Sequence, residues 1–378
     1  MMVLWLGLGC SPTPSPPPAA ILIVIDRLRA DELGAYGDLP TDTPEIDALA
    51  GRGTRYTRAY APSTSVGPSR ASLKTSQLPP QHGQREEGEV SSEFGVWTTK
   101  AGWEPCEVNI DVSKFEKHNF ELNKCVASDA KLLVVWVQGG PSGESTKIDS
   151  VVGDVAASWH ALHPDSIGAL VGLTGRSRGL HSDAELLLTD DLLRVPLVVW
   201  GPDQPTNWQI DDVTSTANLG PKLASLAGTK LADVPVPRGV AYHESTVGYT
   251  MFGARPLTGF TRTDGRYVEG VYGRWYPVEG EAVRHYEDPQ SEYPEAALEL
   301  AAITREFDVS NGLPPDAWTA GLDPFERRQA ANLVDKVRLA QMRGHPEAAE
   351  RILQRLEAEF PGSPILTSLR AEMKAQAD

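Results

Sequence analysis

The sequence predicts an α/β fold in which helices cover both faces of a mainly parallel sheet. Short, continuous apolar runs recur along the chain, as in strands that are buried on both faces. Stretches with helical periodicity separate these runs, and this alternation is typical of an α/β/α sandwich. In such sheets the chemistry lies at the carboxyl ends of the strands.

The strands and helices of this sandwich are predicted in chain order from the same patterns. Strands are predicted at residues 20–25 (AILIVI), 132–137 (LLVVWV), 167–173 and 195–200 (VPLVVW). Helices are predicted from residue 43 to 51, around 149–162 and around 222–226. Residues 84–129 show no clear period, and no element is predicted there. Asp26 follows the first strand directly, so it is the first residue to consider at the strand ends.

Composition and charge exclude several classes of protein. The 378 residues include 51 acidic and 35 basic side chains, for a net charge of −16. This balance argues against nucleic-acid binding and against docking on anionic lipid through a basic surface. Three cysteines are too few for a disulfide-built scaffold or a zinc cluster made of cysteine alone.

The N-terminus resembles the signal of a bacterial lipoprotein. Nine apolar, uncharged residues precede Cys10, a run too short to span a bilayer. Residues 11–19 (SPTPSPPPA) then form a proline-rich spacer. We therefore expect residues 1–19 to be a leader and stalk, with an acylated Cys10 anchoring the protein in the periplasm or at the cell surface of a bacterium. The alternative is a ragged N-terminus with a buried free Cys10. Export would permit a disulfide between Cys106 and Cys125.

The C-terminal segment, residues 323–376, differs in character from the rest. Asp323-Pro324 is a helix-start signal, and Gly344 and Pro361-Gly362 separate further amphipathic helical stretches. The pattern resembles a tetratricopeptide repeat with a capping helix, which would suit a protein partner. A simple helical hairpin packed on the main domain explains it equally well, since about three repeats are needed for a solenoid.

Residues 20–83 resemble the N-terminal part of the sulfatases, in the alkaline phosphatase superfamily. The segment reads AILIVIDRLRADELGAYG, then TPEIDALAGRGTRYTRAYAPSTSVGPSRASLKTSQLPPQHG. In the family an Asp pair follows the strand, and C-x-P-S-R-x-s-L-x-T-G and P-x-x-H-G follow in this order. Weaker similarities at residues 192–202, 213–228 and 261–288 extend the resemblance, so a sulfatase-like α/β domain is expected over residues 20–310.

The resemblance assigns roles to individual residues, and several of them depart from the family pattern. Val66 aligns with the nucleophile, which is a formylglycine made from Cys or Ser, and valine has no group that can attack sulfur. Asp26 retains the first acid of the family's metal-binding Asp pair, and Arg27 replaces the second. Thr174-Gly175-Arg176 stands where the family has an acid and an amide.

Other family positions are retained. Arg70 aligns with the residue that orients formylglycine, here expected to pair with Asp26 instead. His82 fits the H-G pair, and His181 aligns with a substrate-side histidine.

Arg27 and Arg176 are candidate anion-binding residues, and Ser65 is a conceivable displaced nucleophile.

Two functions follow from the resemblance. The first is a lipid-anchored, catalytically inactive binding or scaffolding module with no resident cofactor and a possible anionic ligand. The second is an active sulfuric- or phosphoric-ester hydrolase with a divergent site, which would need a divalent cation such as Ca²⁺ or Mg²⁺. Metal content discriminates between them.

The anchor is tested by mass spectrometry of the mature N-terminus after expression with export. We expect the polypeptide to start at an acylated Cys10, and Cys10→Ala to release the protein from the membrane fraction. Ser11→Ala is the control and leaves the anchor in place. An unmodified Met1 in membrane-free material would contradict this prediction.

Overall fold

The computed structural model describes residues 17–37, 42–86, 88, 93–114, 122–128, 130–139, 145–177, 186–231, 236–277, 294–305 and 308–377. Its strands are β1 (Ala20–Arg27), β2 (Thr54–Tyr56), β3 (Ala59–Tyr60), β4 (Pro105–Asp111), β5 (Leu132–Gln138), β6 (Ile167–Thr174), β7 (Leu197–Trp200), β8 (Trp208–Ile210), β9 (Thr214–Ser215), β10 (Ala241–Ser245), β11 (Leu257–Arg262), β12 (Gly265–Glu269) and β13 (Gly273–Pro277).

The helices are α1 (Pro44–Gly51), α2 (Val66–Thr75), α3 (Pro79–His82), α4 (Val96–Ala101), α5 (Ser145–Leu162), α6 (Asp190–Leu193), α7 (Leu219–Leu226), α8 (Val247–Phe252), α9 (Pro294–Ile303), α10 (Arg328–Met342), α11 (Pro346–Glu359) and α12 (Ile365–Ala377). Within the described residues, no helix is both long enough and apolar enough to cross a membrane.

A seven-stranded sheet in the order β4-β5-β1-β6-β7-β2-β8 forms the centre of the main domain. The strand β1 lies between β5 and β6 and is parallel to both, while β7 runs antiparallel to its two neighbours. Alternate residues of β1 face opposite layers, so Ile23 packs with α1 and α5, and Val24 packs with α2, α4 and α7. The predicted α/β/α sandwich with a mainly parallel sheet is confirmed.

The edge strand β4 lies within residues 84–129, where the sequence predicts no element. Only Val108 and Ile110 of this strand are buried, because a strand at the edge of a sheet keeps many polar residues. It therefore lacks the apolar run that marks the central strands. Cys106 of β4 forms a disulfide with Cys125, and their Cα atoms are 5.7 Å apart.

The stalk prediction needs a correction at its end. Cys10 and the rest of residues 1–16 lie outside the described residues. Residues 17–19 are half-buried, and the Trp103 indole Nε1–H donates a hydrogen bond to the Pro18 carbonyl oxygen at 2.9 Å. These last three residues therefore pack on the domain instead of extending away from it.

A second, four-stranded antiparallel sheet, β10-β11-β12-β13, connects the main domain to the C-terminal helices. Tyr242 and Phe260 lie on one face with α9, whereas Leu257 and Val268 lie on the other face with α10, α11 and α12. Asp323, which precedes these helices, accepts a hydrogen bond from Arg274 Nη2 of β13 at 2.6 Å. The tail thus shares a hydrophobic core with the main domain.

This shared core predicts that the tail and the main domain unfold together. Leu353 of α11 is fully buried in it, so Leu353→Ala should lower the free energy of unfolding by about 2–5 kcal/mol. Residues 323–376 contain no tryptophan, so tryptophan fluorescence reports on the remainder of the chain. We expect fluorescence and circular dichroism to give one coincident urea transition, shifted by the substitution.

The exposed neighbour Gln354 supplies the control, and Gln354→Ala should change stability by no more than about 0.5 kcal/mol. A fluorescence transition that does not move with Leu353→Ala would show an independently folding tail.

Candidate functional site

The carboxyl ends of β1 and β6 meet at one edge of the large sheet. Arg27 pairs in register with Thr174, and the Leu28 N–H donates a hydrogen bond to the Thr174 carbonyl oxygen at 2.9 Å. The Thr174 hydroxyl donates to the Asp26 carbonyl oxygen at 3.2 Å. Asp26 is half-buried and Arg27 is exposed. The strand-end rule therefore places both residues at this edge, as the sequence predicts.

Helix α2 begins at Val66, with Ser65 at its N-cap position. The Ser65 N–H donates to the Ser63 hydroxyl at 3.2 Å, and the Ser69 hydroxyl donates to the Ser63 carbonyl oxygen at 3.0 Å. These bonds close a tight turn before the helix. Val66 is half-buried and packs against the core shared by α2, α4 and α7. An aliphatic side chain thus begins the helix at the position aligned with the nucleophile.

Arg70 lies on the next turn of α2 and is held by residues of the neighbouring strands. Its Nη2 donates to Asn109 Oδ1 at 3.0 Å, and its Cζ lies 3.9 Å from the ring centroid of Trp136. Burial lowers the pKa of Arg70, while the charges of Asp26 and Glu107 act in the opposite direction. Arg70 therefore feels the charge of Asp26, but its direct contacts are with Asn109 and Trp136.

Lys74 lies one further turn along α2 and is a site residue to which the sequence motifs do not point. Its Nζ donates to both carboxylate oxygens of Glu107 at 3.2 Å, and Glu107 also accepts from Trp136 Nε1 at 2.8 Å. Burial lowers the pKa of this ammonium group, against the raising effect of Glu107. The spacing of Arg70 and Lys74, four residues apart on one helical face, was the available signal.

The His82 side chain forms hydrogen bonds that connect two helices of the fold. Its Nδ1 accepts from the Gln84 N–H at 3.0 Å, so its Nε2 carries the proton and donates to the Ser72 hydroxyl at 2.9 Å. Burial, reinforced by the charge of Arg85, lowers the pKa of His82 to about 4. The imidazole is therefore neutral at pH 7 and joins α3 to α2.

The segment after β6 has no room for the acid that the family places there. The Gly175 N–H donates to the Leu192 carbonyl oxygen at 2.7 Å, and a Cβ on Gly175 would lie 1.9 Å from the Asp191 carbonyl oxygen. That obstacle is backbone, which cannot rotate aside as a flexible side chain can. No residue with a side chain fits at this position without moving α6.

Arg176 is engaged within the protein. Its Nε and Nη2 donate to Glu32 Oε1 at 2.8 and 2.7 Å. Nearby, Arg29 donates from Nε and Nη2 to the two carboxylate oxygens of Asp31 at 2.8 and 2.6 Å. The expectation that Arg176 binds an anion is therefore not supported, because Glu32 already neutralises its charge.

A buried ion pair lies next to the segment that precedes α2, and the sequence does not predict it. Arg85 Nη1 donates to Glu244 Oε2 at 2.8 Å, and both side chains are 0% exposed. The Tyr242 hydroxyl donates to the same oxygen, and the Glu244 backbone bonds to the segment before α2. Burial raises the pKa of Glu244 to about 7, although Arg85 lowers it. Because the partners lie 159 residues apart, sequence spacing gives no sign of this pair.

The described donor set does not fit a divalent cation. The described residues contain no cluster of three or more His, Cys, Asp or Glu side chains with metal-binding geometry. Of the family ligand positions, Asp26 is an acid, Arg27 carries a positive charge, and Gly175 has no space for a side chain. Hard cations such as Ca²⁺ need several oxygen ligands.

His181, which the resemblance aligns with a substrate-side histidine, lies outside the described residues.

Comparisons with known proteins agree with this architecture. The sulfatase family model matches residues 18–106. Arylsulfatase A of Bos taurus is 40% identical over 86 residues, which are 22% of this chain and 17% of the relative. N-acetylgalactosamine-6-sulfatase of Homo sapiens is 35% identical over 77 residues, 20% of this chain and 15% of the relative. The matched segments thus span about a sixth of the length of these curated relatives.

Similarity to solved structures extends over most of the chain. A 2-O GAG sulfatase superposes with a TM-score of 0.61 at 14% identity, covering 82% of this chain and 96% of that one. The phosphonate monoester hydrolase of Agrobacterium radiobacter gives 0.56 at 14%, covering 76% and 94%. The chain therefore has the same fold as these two hydrolases. The sulfatase family model matches the N-terminal part of this fold.

The crowding at Gly175 is tested by comparing two glycines. Gly175→Ala should lower the free energy of unfolding by about 1–3 kcal/mol, because the new Cβ meets the Asp191 carbonyl oxygen. Gly201→Ala is the matched control, since a Cβ at residue 201 would have its nearest neighbour at 3.5 Å. Both substitutions reduce the conformational entropy of the unfolded chain in the same way. Urea unfolding measures both. Equal stability of the two variants would show that residue 175 has room for a metal-coordinating side chain.

Proposed function

We propose that this protein is a sulfatase-fold module that does not hydrolyse esters and acts in binding or scaffolding. The observation that carries the proposal is Val66 at the start of α2, in the position aligned with the family nucleophile. Hydrolysis by covalent catalysis needs a hydroxyl, thiol or hydrated aldehyde at this point, and valine supplies none of them.

Among the described residues, only Asp26 supplies an acid at the positions aligned with the family's metal ligands, and this supports the same proposal independently. A divalent cation would withdraw charge from a sulfate or phosphate group in the transition state. Here Arg27 and Gly175 remove two ligand positions, and Arg176 bonds to Glu32 instead. We therefore propose that the strand-end site works without Ca²⁺ or Mg²⁺.

The ligand and the location are part of the proposal. Arg27 and Arg70 lie at the edge where β1 ends and α2 begins, which suits an anionic ligand held without metal. The leader pattern supports export and a lipid anchor at Cys10, so the module would act at a bacterial membrane surface in the periplasm or outside the cell. The C-terminal helices offer a surface for a protein partner, and the net charge of −16 opposes nucleic acid as a partner.

Hydrolysis assays and metal analysis test this proposal together. The purified protein should not turn over 4-nitrophenyl sulfate or 4-nitrophenyl phosphate above background, with or without added Ca²⁺ or Mg²⁺. Elemental analysis should find less than about 0.1 equivalent of divalent metal per chain. Val66→Cys should remain inactive, alone and combined with Arg27→Asp, because Gly175 still excludes a further carboxylate.

Ser65→Ala distinguishes the competing hydrolase hypothesis from contamination. Turnover by the unmodified protein that disappears in Ser65→Ala, together with stoichiometric bound metal, would overturn the proposal. Ser69→Ala is the matched control, since the hydroxyl of the buried Ser69 donates only to the Ser63 carbonyl oxygen among the described residues. Activity that survives both substitutions would point to a contaminating enzyme.

A further inference from the structure

A cavity of about 580 Å³ lies beside the outer strands of the large sheet, away from the strand-end site. Its walls come from β2, β8, the start of β7, helix α7 and the segments on either side of that helix. None of the residues named at the strand-end site lines it. Its volume falls within the range of about 300–1,000 Å³ typical of small-molecule sites.

Much of the cavity lining is apolar. It includes Leu197, Ile210, Leu219, Leu226 and Leu231, together with the ring of Tyr56. Tyr56 is 3% exposed, and no described residue forms a hydrogen bond with its buried hydroxyl oxygen. An apolar body that entered this cavity would be removed from water, which favours binding.

The charge at the cavity is opposite in sign to that of the whole chain. Three cations, Lys222, Lys230 and Arg238, line it with one acid, Asp212. Lys222 lies along the wall, with its Nζ 5.2 Å from the ring centroid of Tyr56, while Lys230 and Arg238 are exposed. No described carboxylate forms an ion pair with any of the three cations. A local excess of two positive charges in a protein of net charge −16 therefore remains available to a ligand.

We propose that this cavity binds a small organic anion with an apolar body and a carboxylate or sulfonate head group. The apolar wall would hold the body, and Lys222 and Arg238 would donate charge-assisted hydrogen bonds to the head group. A small inorganic anion would leave the apolar wall unused, and an uncharged amphiphile would leave the cations without a partner.

Fluorescence titration of the folded, full-length protein with 8-anilinonaphthalene-1-sulfonate tests the site. This probe combines an apolar body with a sulfonate, and we expect saturable binding at one site per chain. Decanoate should displace the probe, whereas decanol and acetate should do so at least tenfold more weakly. Displacement by decanol as effective as that by decanoate would overturn the proposal, because the cations would then play no part.

Charge-neutralising variants locate the site on the molecule. The double variant Lys222→Gln/Arg238→Gln should weaken binding of the probe and of decanoate by at least about tenfold. Lys336→Gln/Arg351→Gln removes two exposed cations from the C-terminal helices and is the control with the same change in net charge. Unchanged affinity in the first variant, or equal weakening in both, would overturn the assignment.

A variant that fills the cavity keeps the test independent of the charge changes. Ser225 is exposed and lines the cavity, so Ser225→Trp should be tolerated by the fold and should abolish binding of both ligands. Its thermal unfolding midpoint should match that of the unmodified protein. Retained affinity in a folded Ser225→Trp protein would contradict the proposed location.

Discussion

Parallel pairing of β1 with both β5 and β6 is the constraint on which the rest of the structure depends. The six residues from Ala20 to Ile25 are at most 1% exposed, so their backbone groups must bond to the two neighbouring strands. Because the three strands run in the same direction, the residues that follow them emerge at one edge. Asp26 and the segment after Thr174 meet there for this reason, and α2 begins beside them.

The chemistry of that edge is organised by ion pairs within the protein. Asp31 and Glu32 accept hydrogen bonds from Arg29 and Arg176, so guanidinium groups neutralise carboxylates that lie close to the strand ends. Burial acts to lower the pKa of Arg29, but the net shift is upward. The hydrogen bond to Asp31 and the charges of Asp31, Asp191 and Glu32 raise this pKa. A metal centre needs the reverse arrangement, in which unpaired carboxylates converge on a cation. The backbone contact at Gly175 closes the same region sterically.

The second sheet is joined to the segment before α2 through Arg85 and Glu244. Arg85 bonds to Glu244 of β10 and to the Val309 carbonyl oxygen, and its Cζ lies 5.7 Å from the ring centroid of Trp318. Removing one partner of a buried ion pair leaves an uncompensated charge, which costs far more than the pair contributes. The pair therefore links the turn after α3 to β10, and Arg85 extends this link to the Val309 backbone.

Local patterns in the sequence determined the central strands, α1, the α/β/α class and the resemblance to the sulfatases, in which Val66 aligns with the nucleophile. Each of these depends on residues close together in the chain. The disposition of Arg176, Gly175, Arg85 and the cavity at Lys222 depends on contacts between residues distant in sequence. Glu32 and Arg176 are 144 residues apart, and Gly175 is crowded by a helix that follows it only after a long connection. The edge strand β4 escaped detection since exposure on one side removes its apolar run. Only the packed tertiary structure brings such groups within bonding distance, and only packing decides whether a side chain has space.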